Sequence, residues 1–236
     1  MLRAVFFDLD DTLLETHTGH AAAIRRAAET GAARHPNCPV ARLEAAFHTA
    51  HSDLEPRLER RELQFDSQLA FRVRVWEVAL EACTLPGAAA AELAEVYLEE
   101  RARQHRLFPD ALSGLAHFRA RCPLVLVTNG LSDFQREKIA RVNLAPHVDH
   151  IVVSEEVGFW KPDPGIFSHA LSLVGVQPEE AVMVGDSLRH DIRGARNSGI
   201  RSVWMRRYPH LQPDPEIVPD AVVQDLRELA DLLSDA

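Results

Sequence analysis

Short apolar runs, each closed by a polar residue and followed by a stretch of helical periodicity, recur along the second half of the chain. They are Leu124–Val127, Ile151–Val153, Ala181–Val184 and Ser202–Met205. A similar run, Ala4–Phe7, opens the chain, and Ala221–Val223 is a weaker one near its end. The polar-patterned segments 132–142, 164–175, 188–198 and 225–234 read as helices. Strand alternating with helix predicts a doubly wound α/β fold, a parallel sheet covered on both faces. Local signals set the helix ends. Ser132 with Gln135 reads as a capping box, Asp163-Pro164 as an N-cap followed by an N1 proline, and Gly199 as a C′ residue.

The stretch from residue 16 to 107 breaks this rhythm. It carries no strand pattern, is rich in Ala, Glu, Arg and Leu, and places Leu69, Val73, Trp76 and Leu80 at helical spacing. Four or five helices are expected there. The chain therefore divides into an α/β core, residues 1–15 and 108–236, and an all-α insertion, residues 16–107. The segment 206–219, with four prolines, reads as an extended loop before the last strand and helix.

Composition narrows the setting. The 236 residues are 46% hydrophobic, enough for a sizeable core, and the formal net charge is −9. Such a surface repels nucleic acid and anionic membrane, so a phosphate-bearing ligand must meet local positive charge. Cys38, Cys83 and Cys122 show neither a disulfide framework nor a zinc spacing. Ala4–Phe7 runs straight into acidic residues, unlike a signal peptide, and no apolar run approaches the ~20 residues of a membrane span. A cytoplasmic protein is expected. Of 26 basic residues only two, Lys138 and Lys161, are lysines. Lys138 lies in a polar helical pattern and is assigned to a solvated face.

In open parallel sheets, ligands bind at the carboxyl ends of the strands. Those ends carry Asp8-Leu9-Asp10-Asp11-Thr12, then Thr128-Asn129-Gly130, then Lys161-Pro162, then Gly185-Asp186-Ser187 with Asp191. Asp8 and Asp10, two apart on an extended chain, point to the same side. Four carboxylates in one cleft would repel strongly and raise one another's pKa. A hard divalent cation with oxygen ligands resolves the conflict, and magnesium is the natural choice. With that cation and Lys161, the site can accept a phosphoryl group, held by the Thr128 hydroxyl and by N–H groups entering the next helix. Each fragment alone has a plainer reading as a turn, a cap or a loop lysine. Together, in order and each at a strand end, they describe a site.

Phe7-Asp8-Leu9-Asp10-Asp11-Thr12-Leu13, Thr128-Asn129-Gly130, Lys161-Pro162 and Gly185-Asp186-Ser187 with Asp191 resemble the four motifs of the haloacid dehalogenase-like hydrolase superfamily. The resemblance covers nearly the whole chain and implies a Rossmann-like core with a helical cap between motifs one and two. The stretch from Thr128 to Met205 is most similar to the branch holding N-acylneuraminate-9-phosphatase and related bacterial 5′-nucleotidases. The resemblance implies Asp8 as nucleophile and magnesium ligand. It implies Asp10 as the acid and base, with its backbone carbonyl on the metal. Thr128, Asn129 and Lys161 would hold the phosphoryl group, Asp186 would bind magnesium, and Asp191 would act from behind the ligands or through water. The implied activity is hydrolysis of a small phosphorylated metabolite, a nucleoside monophosphate or a sugar phosphate, through an aspartyl-phosphate.

Rival activities differ in named residues. By the same resemblance, dehalogenases lack an acid at the position of Asp10 and need no metal. A phosphonate hydrolase would need a lysine in the insertion, and residues 16–107 contain none. A non-catalytic relative would have lost Asp8, Asp10 or Lys161. A phosphomutase shares all four motifs and stays open as the alternative. Arg57, Arg60, Arg61 and Arg72 in the insertion are candidates for meeting an anionic part of the substrate, against the plainer reading of a solvated helical face.

Overall fold

The computed structural model describes residues 2–234. Thr16–His105 form one compact unit and the flanking segments another. The chain begins with β1 (Ala4–Phe7) and a short β2 (Leu14–Glu15). It passes through α1 (His17–Arg34), α2 (Val40–Glu59), α3 (Gln68–Ala82) and α4 (Ala90–Gln104). It returns through β3 (Arg106–Leu107), α5 (Ala111–Arg119), β4 (Leu124–Thr128), α6 (Ser132–Arg141) and β5 (His150–Val153). After these come α7 (Ser154–Val157), α8 (Pro164–Val174), β6 (Ala181–Gly185), α9 (Arg193–Asn197), β7 (Arg201–Met205), β8 (Ala221–Val223) and α10 (Leu226–Leu232).

Six strands form one parallel sheet in the order β5-β4-β1-β6-β7-β8. β1 is central and buried on both faces, which is why its sequence is continuously apolar. Successive side chains leave a strand on opposite sides. Val5 and Phe7 therefore enter the core shared with α5 and α10, through Leu115, Phe118, Leu226 and Leu229. Ala4 and Phe6 enter the core shared with α8, through Ile166 and Phe167. Each buried Phe contributes about 1.5–3 kcal/mol relative to exposure. From β1 the chain builds outward to β4 and β5 on one side, then to β6, β7 and β8 on the other. The carboxyl end of β1 thus lies at the topological switch point, where doubly wound sheets bind ligands.

β2 pairs antiparallel with β3, Leu14 opposite Leu107 and Glu15 opposite Arg106. This two-residue ladder gathers the segments that leave and re-enter the α/β unit. It moves the expected end of the helical insertion from 107 back to 105, because Arg106–Leu107 belongs to the ladder. Two-residue strands carry no periodicity, so the pattern gave no sign of them.

Within the helical unit, α1 packs on α2 and α4, and α3 packs on α2 and α4. Trp76 and Leu80 are buried as expected, but Leu69 faces solvent and Val73 is half-buried. The buried stripe of α3 runs instead through Gln68, Phe71, Arg72, Val75, Trp76 and Ala79. Arg57 and Arg60 lie on the surface and pair with Asp53 and Glu62. Arg72 departs from the solvated reading and is buried. Among the described residues, no helix is long and apolar enough to cross a membrane.

The helix-end expectations divide. Asp163 caps α8 by accepting from the Gly165 N–H at 2.7 Å, with Pro164 at N1. Gly199, at φ +74°, follows α9 as a C′ residue. The capping box at Ser132 is absent. Ser132 is already helical, its N–H is met by Glu155 at 2.7 Å and its hydroxyl donates to Glu156 at 2.5 Å. Gln135 is buried and faces the strand ends instead.

Candidate active site

β1 ends at Phe7, and the N–H of the next residue, Asp8, donates to the Val184 carbonyl at 2.9 Å and so continues the sheet one residue past the strand. The Asp8 side chain is buried. The Lys161 ammonium is 3% exposed and donates to Asp8 Oδ1 at 2.6 Å, to Asp191 Oδ1 at 2.6 Å and to the Val127 carbonyl at 2.8 Å. All three ammonium protons therefore have acceptors.

Asp191 sits in a single π-helical turn, Leu188–Ile192, where an α-helix starting at 188 was expected. The wide turn re-aims the chain, and Asp191, fully buried, points back to Lys161 and accepts the Ser187 N–H at 3.0 Å. A Cβ at position 185 would lie 2.3 Å from the Asp191 carboxyl carbon, so Gly185 is the residue that lets this side chain in.

The electrostatics are those of a site short of positive charge. Burial pushes the Asp8 carboxyl up to about 7; Lys161 opposes this, and Asp191 and Asp10 add to it. Burial also holds the Asp186 carboxyl well above the usual carboxylate range, with Asp8, Asp191 and Asp11 adding to the effect. Burial alone would lower the Lys161 pKa, but Asp191 and Asp8 together hold it above the ordinary lysine value. Asp8, Asp186 and Asp191 can each present a carboxylate oxygen within 4.8 Å of the others. Three carboxylates against one ammonium leave a deficit that a hard divalent cation matches in both charge and donor type.

Asp10, two residues on, has a different environment. Lys138 donates to its two oxygens at 2.7 and 2.5 Å, and Gln135 Nε2 donates to Oδ2 at 3.2 Å. Lys138 is only 2% exposed. The assignment of Lys138 to a solvated face is therefore wrong. α6 is polar on average, but its one-residue register turns Lys138 and Gln135 inward while the acidic and arginine positions face water. The scarcity of lysine was the signal: both lysines in the chain end on a carboxylate that closes β1 or follows it.

Thr128 is buried at the end of β4, and Gln135 hydrogen-bonds to its hydroxyl. Asn129, expected beside the phosphoryl group, commits both ends of its side-chain amide elsewhere. Nδ2 donates to the Lys161 carbonyl at 2.9 Å, and Oδ1 accepts the Lys161 N–H at 2.8 Å. It fixes the backbone from which the Lys161 ammonium projects. The proline-rich segment also contributes what a loop reading missed. Arg207 Nη1 reaches both oxygens of Asp110 at 2.9 Å, and its Nε and Nη2 donate to the Thr12 carbonyl at 3.2 and 2.9 Å. Tyr208 donates to Asp11 Oδ1 at 3.2 Å. These contacts tie the segment after β7 to the loop after β1, and nothing in local spacing signals them.

A haloacid dehalogenase-like hydrolase family model matches residues 2–199. The chain belongs to that family. The phosphoserine phosphatase of Thermus thermophilus is 41% identical over 97% of this chain and 98% of its own length. Human N-acylneuraminate-9-phosphatase is 31% identical over 98% of the chain and 94% of its length. Among solved structures, the HAD-hydrolase YfnB of Bacillus subtilis, crystallised bound to magnesium, superposes with a TM-score of 0.77 at 28% identity, covering 98% of each chain.

Proposed function

We propose that this protein is a magnesium-dependent phosphohydrolase of small phosphomonoesters that works through a phosphorylated Asp8. The observation carrying this reading is the Lys161 ammonium held between Asp8 and Asp191, with Asp186 beside them, at the switch point of the sheet. Asp8, Asp186 and the Asp10 backbone carbonyl would hold the metal, with Asp191 behind them. Bound magnesium supplies positive charge to the phosphoryl oxygens and keeps Asp8 ionised.

In the first step Asp8 Oδ attacks phosphorus and the bond to the leaving oxygen breaks, while Asp10, protonated, gives its proton to that oxygen. In the second, Asp10 takes a proton from water, the water oxygen attacks phosphorus, and the bond to Asp8 breaks. One difficult displacement becomes two. Lys161 and the Thr128 hydroxyl face the charge that develops on the phosphoryl oxygens. Lys138 and Gln135 hold the Asp10 side chain in one orientation beside the end of β1. The relatives named phosphoserine phosphatase and N-acylneuraminate-9-phosphatase support a compact phosphorylated metabolite as substrate, with sugar phosphates and nucleoside monophosphates in the same test panel. A cytoplasmic setting agrees with three free cysteines.

Metal removal tests the reading. Phosphate release should cease in excess chelator and return with magnesium, and calcium should restore it poorly, because its larger and looser shell spoils in-line geometry. Full phosphate release in excess chelator would refute the metal dependence of the proposal. A second test isolates Asp10. Asp10→Asn should slow alkyl phosphates at least about tenfold more than aryl phosphates, whose leaving groups depart as stable anions. Equal losses on both, measured as kcat/KM, would mean that Asp10 acts by holding the site together rather than by moving a proton.

A further inference from the structure

Among the described residues of the helical unit, two guanidinium groups are buried with no carboxylate in ion-pair contact. Arg72 on α3 is 6% exposed and Arg101 on α4 is 8% exposed. Arg72 lies over the rings of Phe71 and Tyr97, at 4.9 and 5.0 Å from their centroids. With the Gln68 amide turned so that its oxygen faces Arg72, that oxygen accepts from Nε at 2.9 Å and from Nη2 at 3.1 Å. Arg72 Nη1 has no acceptor among the described residues. Arg101 donates through Nη1 to the Thr16 carbonyl at 3.3 Å, and its Nε has no acceptor among the described residues. The indole N–H of Trp76, fully buried beside Phe47 at 4.8 Å, also lacks one.

These groups form one cluster. Phe47 stacks near Tyr97 at 5.4 Å, the Tyr97 hydroxyl hydrogen-bonds His20 Nδ1 at 2.8 Å, and His20 lies 5.4 Å from His51. Burial, with the two arginines adding to it, lowers His20 to about 3 and His51 to about 2, so both imidazoles are neutral. Burial lowers the Arg72 pKa as well, tempered by Tyr97 and Glu55. Glu55 itself is half in solvent, 3.4 Å from His51 Nε2.

A buried cation is costly unless an anion meets it, and breaking such a pair is strongly destabilising. Here two cations and three unsatisfied N–H donors share one aromatic-walled cluster. The matching ligand is a compact group that only accepts hydrogen bonds and carries negative charge. A planar carboxylate matches the guanidinium fork.

We propose that the Arg72–Arg101–Trp76 cluster is a binding site for the carboxylate of a small ligand. Two sources share that chemistry: the substrate's own carboxylate, which rests on the phosphohydrolase reading, and a free carboxylate acting as an effector, which does not.

The full-length protein separates them. Thermal melting with sodium acetate against sodium chloride at equal ionic strength reads binding without turnover. The midpoint should rise with acetate in the parent, and the rise should vanish in Arg72→Met and in Arg101→Met, each checked as folded by circular dichroism. In parallel, kcat/KM is compared for phosphoserine and phosphoethanolamine, which differ by one carboxylate. Preference for phosphoserine of about tenfold or more, collapsing towards one in both variants, assigns the site to the substrate. Acetate that alters phosphoethanolamine turnover, with no such preference, assigns it to an effector. The proposal is overturned if acetate shifts neither the midpoint nor turnover and both variants keep the parent's substrate ratio. It is equally overturned if the variants simply melt higher with nothing lost, since the arginines would then be only structural. Aryl-phosphate turnover without any carboxylate effect would leave the hydrolase reading standing while this one fails.

Discussion

Asp8→Asn is expected to reduce turnover by about a thousandfold or more while leaving the protein folded. The amide keeps the shape of the side chain and removes the attacking oxygen's charge. The same substitution should change stability in the opposite sense. In the metal-free protein the Asp8 carboxyl is pushed up to about 7, mainly by burial, from an ordinary 3.8. Its contribution to stability is then fully present below the unfolded value and is lost as pH rises through the folded one. Asparagine does not titrate. Chelated Asp8→Asn should therefore melt above the chelated parent at pH 8, and the gap should narrow towards pH 4. Turnover within about tenfold of the parent in folded variant protein would remove Asp8 from the role of nucleophile. A variant that melts lower at pH 8 would contradict the charge deficit described for the site.

Lys161→Met should do the reverse to stability and the same to activity. Methionine keeps much of the stem but removes the ammonium that bridges Asp8, Asp191 and the Val127 carbonyl. Removing one partner from a buried ion pair leaves an uncompensated charge and costs about 3–5 kcal/mol. In a protein of this size that corresponds to a fall in Tm on the order of 10 °C. Activity should fall to background, because the transferring phosphoryl group loses a fixed positive charge. The pair of variants makes a sharp contrast when metal-free melts are compared at pH 8: Asp8→Asn up, Lys161→Met down. A Lys161→Met protein that melts with the parent and turns over within about tenfold of it would show that the ammonium does not hold the site.

The contrast between the two lysines shows how far local reading reaches. Lys161 precedes a proline in the loop after α7, inside a pattern that already implied a site, and its ammonium meets the carboxylates of Asp8 and Asp191. Lys138 lies in a helix whose average polarity says surface, and it is buried on Asp10. Helical periodicity gives the angular relation between residues, but the absolute rotation of a short, weakly amphipathic helix is set by its neighbours. Gln135 was misread for the same reason: its spacing from Ser132 fits a capping box, yet its side chain turns towards Thr128 and Asp10.

Local pattern in the sequence is enough to set the six strands of the main sheet, their parallel class and the strand ends that carry Asp8, Thr128 and Asp186. These depend on periodicity and on turn residues within a few positions of one another, which the chain states locally. It also determined the helical nature of the insertion, through the lack of any period-two segment between residues 16 and 105. The tertiary structure alone decided which atoms meet. Asp10 with Lys138, Asp110 with Arg207, and Asn129 with the Lys161 backbone lie 128, 97 and 32 residues apart. Arg72 and Arg101 likewise are buried, with no carboxylate in contact among the described residues, because α3 packs on α4. Contacts of that separation arise from sheet order and helix rotation, which are set by burial summed over the whole core and leave no mark in the spacing of neighbouring residues.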